Sequence, residues 1–308
     1  MRIGIFIGVV GSAPTLRGQV QQIVDAESDG FDSYWSPQVA GTDALTLLAL
    51  AGGRTSRIEI GTAVVPIFQR HPTALAQQAL TTQAATDGRL ALGIGLSHKP
   101  SVEDRMGLSF DRPALRMLEY LTVLRELVQE GQTRFSGETL SVSATVQVPS
   151  GSPFPILIAA LGPRMLKIAG ELSDGTITWM VGPRTLRDHI APRINAAASA
   201  ADRPAPRICA GVPVCVTDDP AEARSRAAET FQRYGSLPSY RRMLELEGTT
   251  EPADVAVVGD EASVERQLRE YADGGATDLL AVVFPGEPDE DASTARTRDL
   301  LKRLVGNL

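Results

Sequence analysis

The chain alternates short apolar segments with amphipathic helical segments along its length, and this alternation limits the fold more than any other feature. Eight segments have the length and continuous hydrophobicity of strands covered on both faces. These strands are predicted at residues 3–8, 32–36, 58–65, 90–95, 156–161, 175–181, 208–216 and 278–284. Helices are predicted at residues 16–28, 44–52, 72–86, 113–130, 163–172, 183–200, 220–234, 262–274 and 292–305. Eight such units indicate an α/β protein whose parallel sheet closes into a (β/α)8 barrel, the TIM-barrel fold.

An open, doubly wound sheet is the alternative arrangement of the same units. Such a sheet is expected to carry a glycine-rich dinucleotide-binding turn after its first strand. Residues 9–14 read VVGSAP and lack the G-x-G-x-x-G spacing of that turn. The closed barrel is therefore the better prediction.

Two segments do not fit the repeating strand–helix unit. Residues 135–148 alternate apolar and polar side chains, which predicts a hairpin inserted before the fifth strand. Residues 235–260 are polar and partly helical, and they form an insertion between the seventh and eighth strands. Both segments are interpreted as additions to one domain that spans residues 1–308.

Charge and hydropathy exclude several classes of protein. The 308 residues carry 30 basic and 37 acidic side chains, a net charge of −7, whereas a nucleic-acid-binding protein needs a basic face. No apolar segment approaches the roughly 18 residues that cross a bilayer, and residues 1–14 are interpreted as a strand and turn, not a signal peptide. Cys209 and Cys215 lie in one predicted strand, about 20 Å apart, which is too far for a disulfide. A cytoplasmic protein without nucleic-acid or membrane partners is expected.

In barrels of this kind, catalytic groups lie in the loops after the carboxyl ends of the strands. The predicted loops contain no close carboxylate pair, no G-x-S-x-G turn, no Walker loop and no metal-binding histidine spacing. No metal site is therefore predicted. The strand ends instead offer small residues, amides, tryptophans and histidines, which suit a flat organic cofactor held by packing and backbone groups.

Two motifs at a fixed spacing carry a family resemblance. Residues 61–72 read GTAVVPIFQRHP, and after a helix residues 87–95 read DGRLALGIG. Together they resemble the luciferase-like monooxygenase superfamily, in particular its actinobacterial branch of coenzyme F420-dependent oxidoreductases. The opening strand, residues 30–35 (GFDSYW) and residues 169–175 (AGELSDG) agree with the same family. The resemblance is good over roughly residues 1–185 and weak beyond them.

The resemblance implies a bacterial-luciferase-like barrel that binds coenzyme F420, or alternatively FMN, at the carboxyl ends of its strands. It also implies a cis peptide bond between Ala63 and Val64, at the end of the third strand. A homodimer is implied through the second and third helices. The residues available there are Leu47, Leu48, Leu50, Ala76 and Ala79.

The chain departs from the family pattern at two places. Many members carry Asp-His after the second strand, where this chain has Pro37-Gln38. Members that oxidise glucose 6-phosphate carry a glutamate after the fourth strand, where this chain has His98. These departures argue against oxidation of a sugar phosphate.

Candidate site residues come from the predicted strand ends. The catalytic candidates are His98, for proton transfer or as an ordinary loop histidine, and Gln38, for a hydrogen bond to the ring edge or as a plain strand-end amide. Gly162 and Arg164 open a helix, where free N–H groups attract the cofactor phosphate unless the segment is a simple turn. The other cofactor-binding candidates are Ala63, Val64, Gly95, Leu96, Ser97, Ala160, Leu161 and Trp179. Trp35 and Trp179 are expected either to face the ring or to pack in the core.

These features predict an oxidoreductase that transfers a hydride between F420 and a small organic substrate. One alternative is an FMN-dependent monooxygenase with the same fold, and another is a non-catalytic barrel that binds a ligand or a partner. Titration with F420 and with FMN separates the first two functions.

Overall fold

The computed structural model describes residues 1–6 and 15–308, and a closed ring of parallel strands lies at its centre. The strands are β1 (Arg2–Phe6), β2 (Ser33–Ser36), β3 (Glu59–Thr62), β4 (Val65–Pro66), β5 (Leu90–Gly95), β6 (Gln132–Ser136), β7 (Ser141–Thr145), β8 (Ile156–Ala159), β9 (Gly175–Trp179), β10 (Arg207–Val216), β11 (Val257–Gly259) and β12 (Asp278–Val283). The ring runs β1-β2-β3-β5-β8-β9-β10-β12 and returns to β1, with β4 continuing the line of β3. This closed order confirms the (β/α)8 barrel. The last two residues of the predicted first strand and the turn after it lie outside the described residues.

Helices connect successive barrel strands. They are α1 (Leu16–Ser28), α2 (Ala44–Gly52), α3 (Pro72–Ala85), α4 (Pro113–Gln129), α5 (Pro163–Leu172), α6 (Pro183–Thr185), α7 (Ala191–Ala200), α8 (Pro220–Gly235), α9 (Pro238–Glu247), α10 (Glu261–Asp273) and α11 (Glu290–Leu304). The helix predicted over residues 183–200 is confirmed as one continuous helical segment, in which a π-helical turn at Leu186–Ile190 lies between α6 and α7. No helix among the described residues is long and apolar enough to cross a membrane.

Side chains from neighbouring elements hold the amino ends of several barrel strands. A free N–H at the start of a strand has no ladder partner, and it needs an acceptor when it is buried. Asp32 accepts from the Ile3 N–H, Glu27 from Ile58, Gln83 from Leu90, Asp174 from Ile156 and Thr277 from Ile208, each at 2.8–2.9 Å. This face of the barrel is therefore built for stability.

A network of charged side chains closes the same end of the barrel. The Arg207 guanidinium lies 2.8 Å from the Glu59 carboxylate and 2.6 Å from that of Asp278. Arg2 approaches both carboxylates at 3.3 Å. The Asp278 side chain is almost fully buried, so these cations are what allow its charge to stay there.

Apolar side chains fill the barrel interior. Trp35 is fully buried there, with its Nε1 donating to Ser33 Oγ at 2.9 Å and the Arg207 guanidinium 5.9 Å from its ring. Trp35 therefore packs in the core and does not face the mouth of the barrel. Cys209 lies in the same interior cluster, and both it and Cys215 are buried, free thiols.

Both predicted insertions are present. The first is an antiparallel hairpin of β6 and β7. The second, between β10 and β12, contains α9 and also a short strand, β11, which pairs in parallel with the end of β10 and was not predicted. A three-residue strand leaves too short a pattern to recognise in the sequence.

Four of the five helix residues proposed for a dimer interface lie in the core and not on the surface. Leu47, Leu48, Ala76 and Ala79 are fully buried within the chain, where α2 packs against α3. They are not available to a partner, so that assignment is wrong. Leu50 alone of the five is exposed, at 49%. A homodimer stays a prediction, through residues not yet assigned.

A buried carboxylate fastens the hairpin to α4. Glu119 accepts hydrogen bonds from the Glu138 N–H at 2.7 Å, and from the N–H and hydroxyl of Thr139 at 2.8 and 2.6 Å. Burial by itself raises the pKa of Glu119, but these hydrogen bonds outweigh burial and hold that pKa below its usual value. A Cβ on Gly137 would lie 2.4 Å from the Glu119 carboxyl carbon, so the glycine leaves the space that this carboxylate occupies.

Glu119→Gln removes the charge that these donors stabilise, and we expect a loss of roughly 2 kcal/mol in the free energy of unfolding at pH 7. Because the folded pKa is lowered, the stabilisation is present above the unfolded value of about 4.3 and disappears as the pH falls through the folded value. Urea unfolding should therefore show a difference between wild type and variant that shrinks below about pH 4. Glu130→Gln, at an exposed carboxylate that is the C-cap of the same helix, should change stability by less than about 0.5 kcal/mol. Equal losses for both variants would contradict this role.

Candidate active site

The carboxyl ends of the barrel strands form a mouth, and a bulge between β3 and β4 projects into it. Ile60 and Gly61 pair with Leu90 and Ala91, whereas Val65 pairs with Ile94. One more residue is thus present on this strand than on β5, which defines a β-bulge. The peptide bond between Ala63 and Val64 is cis, as the resemblance implied.

Thr62 replaces the ladder hydrogen bonds that the bulge interrupts. Its hydroxyl donates to the Gly93 carbonyl at 2.8 Å and accepts from the Gly93 N–H at 2.9 Å. Thr62 is fully buried, so without this hydroxyl both Gly93 groups would lose their partner. The side chain of Thr62 thus joins the bulged strand to β5.

Glycines on β5 make room for the Val64 side chain. A Cβ on Gly95 would lie 2.6 Å from Val64 Cγ2, and a Cβ on Gly93 would lie 2.1 Å from the Thr62 carbonyl oxygen. Ala63 and Val64 pack against the interior cluster but are only partly buried, so they border the open mouth. Tight packing therefore explains why glycines occupy these two positions. Because they lack Cβ atoms, the Val64 side chain has room beside β5.

Trp179, at the end of β9, lies in an aromatic cluster across the mouth. Its ring centroid is 5.8 Å from those of Phe6 and Tyr234 and 5.9 Å from that of Phe231, all in edge-to-face geometry. The Tyr234 hydroxyl interacts with the buried Trp179 Nε1 but does not reach hydrogen-bond geometry, so this donor has no full partner within the described residues. Tyr240 continues the cluster, 5.1 Å from Tyr234.

His98 joins this cluster from the opposite side. Ser97, with a left-handed φ of 59°, turns the chain after β5 and Leu96. The His98 ring then lies 5.7 Å from that of Tyr240. Burial and the nearby Arg233 guanidinium both lower the pKa of His98, so its imidazole is neutral at pH 7.

The loop after β8 leads into α5 without a side-chain cap. Gly162 is the N-cap residue, Ala160 is buried and Arg164 is exposed. The Leu161 carbonyl accepts a hydrogen bond at 2.8 Å from His189 Nε2. Burial lowers the pKa of His189, so this ring is a neutral donor that fixes the backbone next to the open helix end.

Gln38 has a structural partner. Its amide oxygen accepts from the Ala44 N–H at 2.8 Å, at the start of α2, while Asp43 caps the same helix through the Thr46 N–H. The Gln38 oxygen is thus committed to α2, and the half-buried side chain could offer a ligand its amide N–H₂.

The structure brings together several candidates and adds others. His98 and Trp179 belong to one cluster, which Tyr234 and Tyr240 complete. Sequence reasoning missed both tyrosines and Arg233, because they belong to α8 and to the insertion and not to a strand end. Two tyrosines only six residues apart in a mainly charged segment were the available signal.

The α9 helix is tied to the barrel by a carboxylate. Glu247, at its last residue, accepts from the N–H groups of Arg184 and Thr185 at 3.1 and 2.7 Å. A Cβ on Gly182 would lie 2.2 Å from the Glu247 carboxyl carbon. This contact fixes the end of the helix that carries Tyr240. In the described part of the chain, no group of three or more His, Cys, Asp or Glu side chains could hold a metal ion.

Comparison with known proteins identifies the family. Residues 1–278 match the family model described as luciferase-like monooxygenase, so the chain belongs to that family. An uncharacterised protein of Mycobacterium tuberculosis is 34% identical over 254 residues, which cover 77% of this chain and 74% of that protein. The F420-dependent glucose-6-phosphate dehydrogenase of Amycolatopsis mediterranei is 27% identical over 317 residues, 94% of each chain.

Solved structures share the fold at lower identity. The coenzyme F420-dependent tetrahydromethanopterin reductase from Methanopyrus kandleri superposes with a TM-score of 0.81 at 21% identity, over 100% of this chain and 98% of that one. The oxygenating constituent of 3,6-diketocamphane monooxygenase from Pseudomonas putida, in complex with FMN, has a TM-score of 0.79 at 17% identity, over 99% and 97%. Both confirm the luciferase-like barrel.

Thr62→Val is expected to lower the free energy of unfolding by about 2–4 kcal/mol, since it leaves a buried N–H and a buried carbonyl of Gly93 unpaired. Thr62→Ser keeps the hydroxyl and should recover most of the loss in urea unfolding. Thr82→Val is the control: Thr82 is also buried, but its hydroxyl only bonds helix carbonyls that have other partners, so it should cost less than about 1 kcal/mol. A serine variant as unstable as the valine variant would refute the hydrogen-bonding role.

Proposed function

We propose that this protein is a coenzyme F420-dependent oxidoreductase, which transfers a hydride between the deazaflavin and a small organic substrate at the mouth of the barrel. The observation that carries this proposal is the partly open rim formed by Val64, Trp179 and His98. A curated relative that matches over 94% of both chains is named an F420-dependent dehydrogenase. When bound, the deazaflavin supplies the hydride acceptor or donor.

The residues of the mouth fit a flat ring. Val64 and Ala63 present apolar surface from the bulge, and Trp179 offers both an aromatic edge and an indole N–H without a full partner. The proposed ring position lies between the bulge and these aromatic side chains, beside Leu96 and Ser97. Packing of this kind excludes water and holds the substrate carbon near the ring.

The Gly162 turn is proposed to bind the cofactor phosphate. Pro163 fixes the first helical turn, and the Arg164 and Met165 N–H groups follow a glycine N-cap that has no side chain to satisfy them. His189 holds the Leu161 carbonyl, the one before Gly162, by a hydrogen bond that needs no ligand. Arg164 adds a positive charge at the same helix end.

His98 is proposed to take a proton from the substrate. Because burial and Arg233 keep its imidazole neutral at pH 7, a ring nitrogen is free to accept a proton from a hydroxyl group. This protonation state suits oxidation of the substrate with hydride transfer to the cofactor. A neutral imidazole is a poor proton donor for the reverse reaction.

Three further attributes belong to the same proposal. We infer that residues 1–308 form one domain, that two copies form a homodimer and that the enzyme acts in the cytoplasm. The free, buried Cys209 and Cys215 suit a reducing compartment.

An FMN-dependent monooxygenase is the second candidate, because a solved structure of the same fold contains FMN. Titration of the protein with each cofactor, followed by tryptophan fluorescence, decides between them. We expect saturable quenching by F420 and binding of FMN at least about tenfold weaker. Arg164→Gln should weaken F420 by about fivefold, and Lys167→Gln on the same helix should not. Tight FMN binding with oxygen consumption would favour the monooxygenase.

His98→Asn should reduce turnover by about 10²–10⁴ with F420 affinity nearly unchanged, if His98 accepts the proton. The wild-type rate should fall as the pH drops through the lowered pKa of His98, below its usual value of about 6.5. His71→Asn is the control, because His71 is exposed and caps α3 through the Thr73 N–H. A loss of less than about threefold for His98→Asn would remove His98 from the catalytic step.

A further inference from the structure

A cavity next to the aromatic cluster is lined in part by His98. It has a volume of about 210 Å³ and lies between the π-helical turn at Ser101–Arg105 and the turn that joins α8 to α9. His98, Ser101, Asp104, Arg105 and Arg233 supply its polar groups. We call it the His98 cavity.

The His98 cavity contains two arginines that the fold does not neutralise. Neither Arg105 nor Arg233 makes an ion pair with any described residue. Two cations nearby in the chain are paired: Lys99 with Glu103, and Arg226 with Glu222. Asp104 is the one carboxylate among the described lining residues, so the cavity keeps an excess of positive charge.

We propose that the His98 cavity binds an anionic group of the substrate, a carboxylate or a phosphate. Guanidinium groups bind such oxyanions through two parallel N–H donors, and the Ser101 hydroxyl offers another donor. A substrate held in this way would place its adjoining carbon and hydroxyl against His98, which faces both the cavity and Tyr240. This substrate class rests on the proposed function.

The volume of the His98 cavity suits a small anionic group better than the cofactor ring. Pockets that enclose a drug-sized ligand measure about 300–1,000 Å³, so a space of about 210 Å³ suits a small anionic group with a few carbons. The ring has its proposed place in the barrel mouth, between the bulge and Trp179. The two arginines lie on separate elements, the π-helical turn and α8, and both of their side chains are exposed to solvent.

The test is a titration of the cofactor-free protein with inorganic phosphate. Binding is monitored by NMR through the C–H proton resonances of the histidine imidazoles. The chain has three histidines, and the His98→Gln variant assigns the relevant signal. A bound dianion should raise the pKa of His98 by roughly one pH unit, and added phosphate should not move the resonances of His71. Arg105→Gln and Arg233→Gln should each weaken phosphate binding by about tenfold.

Two matched variants control for general charge. Arg241→Gln removes an exposed, unpaired arginine of α9 that does not line the cavity, and it should leave phosphate affinity unchanged. Arg164→Gln removes the cation at the proposed cofactor phosphate site, and it should leave the His98 signal unchanged. An equal loss for Arg241→Gln and Arg233→Gln would overturn the assignment.

The cofactor also carries anionic groups, so the titration is repeated after saturation with F420. If phosphate still shifts the His98 resonance, the cavity is free for substrate, as proposed. If F420 alone produces that shift and blocks phosphate, the cavity belongs to the cofactor and the inference fails. If F420 binds but phosphate has no effect on the His98 resonance, the anion site is overturned and the proposed function is not. If phosphate binds but F420 does not, the cofactor assignment is overturned instead.

Discussion

The Val64 side chain lies inside the mouth of the barrel, and much of the neighbouring structure is arranged around it. Two glycines of β5 lack the Cβ atoms that would clash with the bulge. Because the bulge interrupts the ladder at Gly93, the Thr62 hydroxyl bonds both the N–H and the carbonyl of that residue. A polar group buried without a partner costs about 1–3 kcal/mol, so the bulge requires these particular neighbours. The bulge then narrows the mouth on one side, opposite the aromatic cluster of β9 and α8.

The two ends of the barrel use their polar residues in opposite ways. At the amino ends of the strands, carboxylates and amides meet N–H groups, and Arg207 joins the carboxylates of β3 and β12. At the mouth, several polar groups remain available: the Trp179 indole, the His98 imidazole, and the guanidinium groups of Arg105 and Arg233. Because a closed barrel takes its stability from its core and one end, the other end can carry incompletely satisfied groups for a ligand.

The sequence predicted the barrel because strand–helix alternation is a local pattern that repeats eight times. Caps were equally readable: Asp43, and Pro at the start of α3, α4 and α5, mark helix starts where the structure has them. The location of Trp35 could not be predicted, since a tryptophan at a strand end can pack in the core or line the mouth. Leu47 and Ala76 look available in sequence, yet contacts between α2 and α3 bury them. Tyr240 was missed because only tertiary packing of the insertion brings it to His98.

The α8 helix and the insertion that follows it connect substrate charge to the chemistry of the site. In the free protein, burial lowers the pKa of His98, and the repulsion between the Arg233 guanidinium and an imidazolium lowers that pKa further. An anion in the His98 cavity would cancel that repulsion and make the imidazole a stronger base at the moment when a substrate hydroxyl lies against it. The coupling is reciprocal, so protonation of His98 would raise the affinity of the cavity for the anion by the same factor. Tyr240 sits on the helix that Glu247 anchors to the barrel, which keeps this imidazole in place while its charge changes.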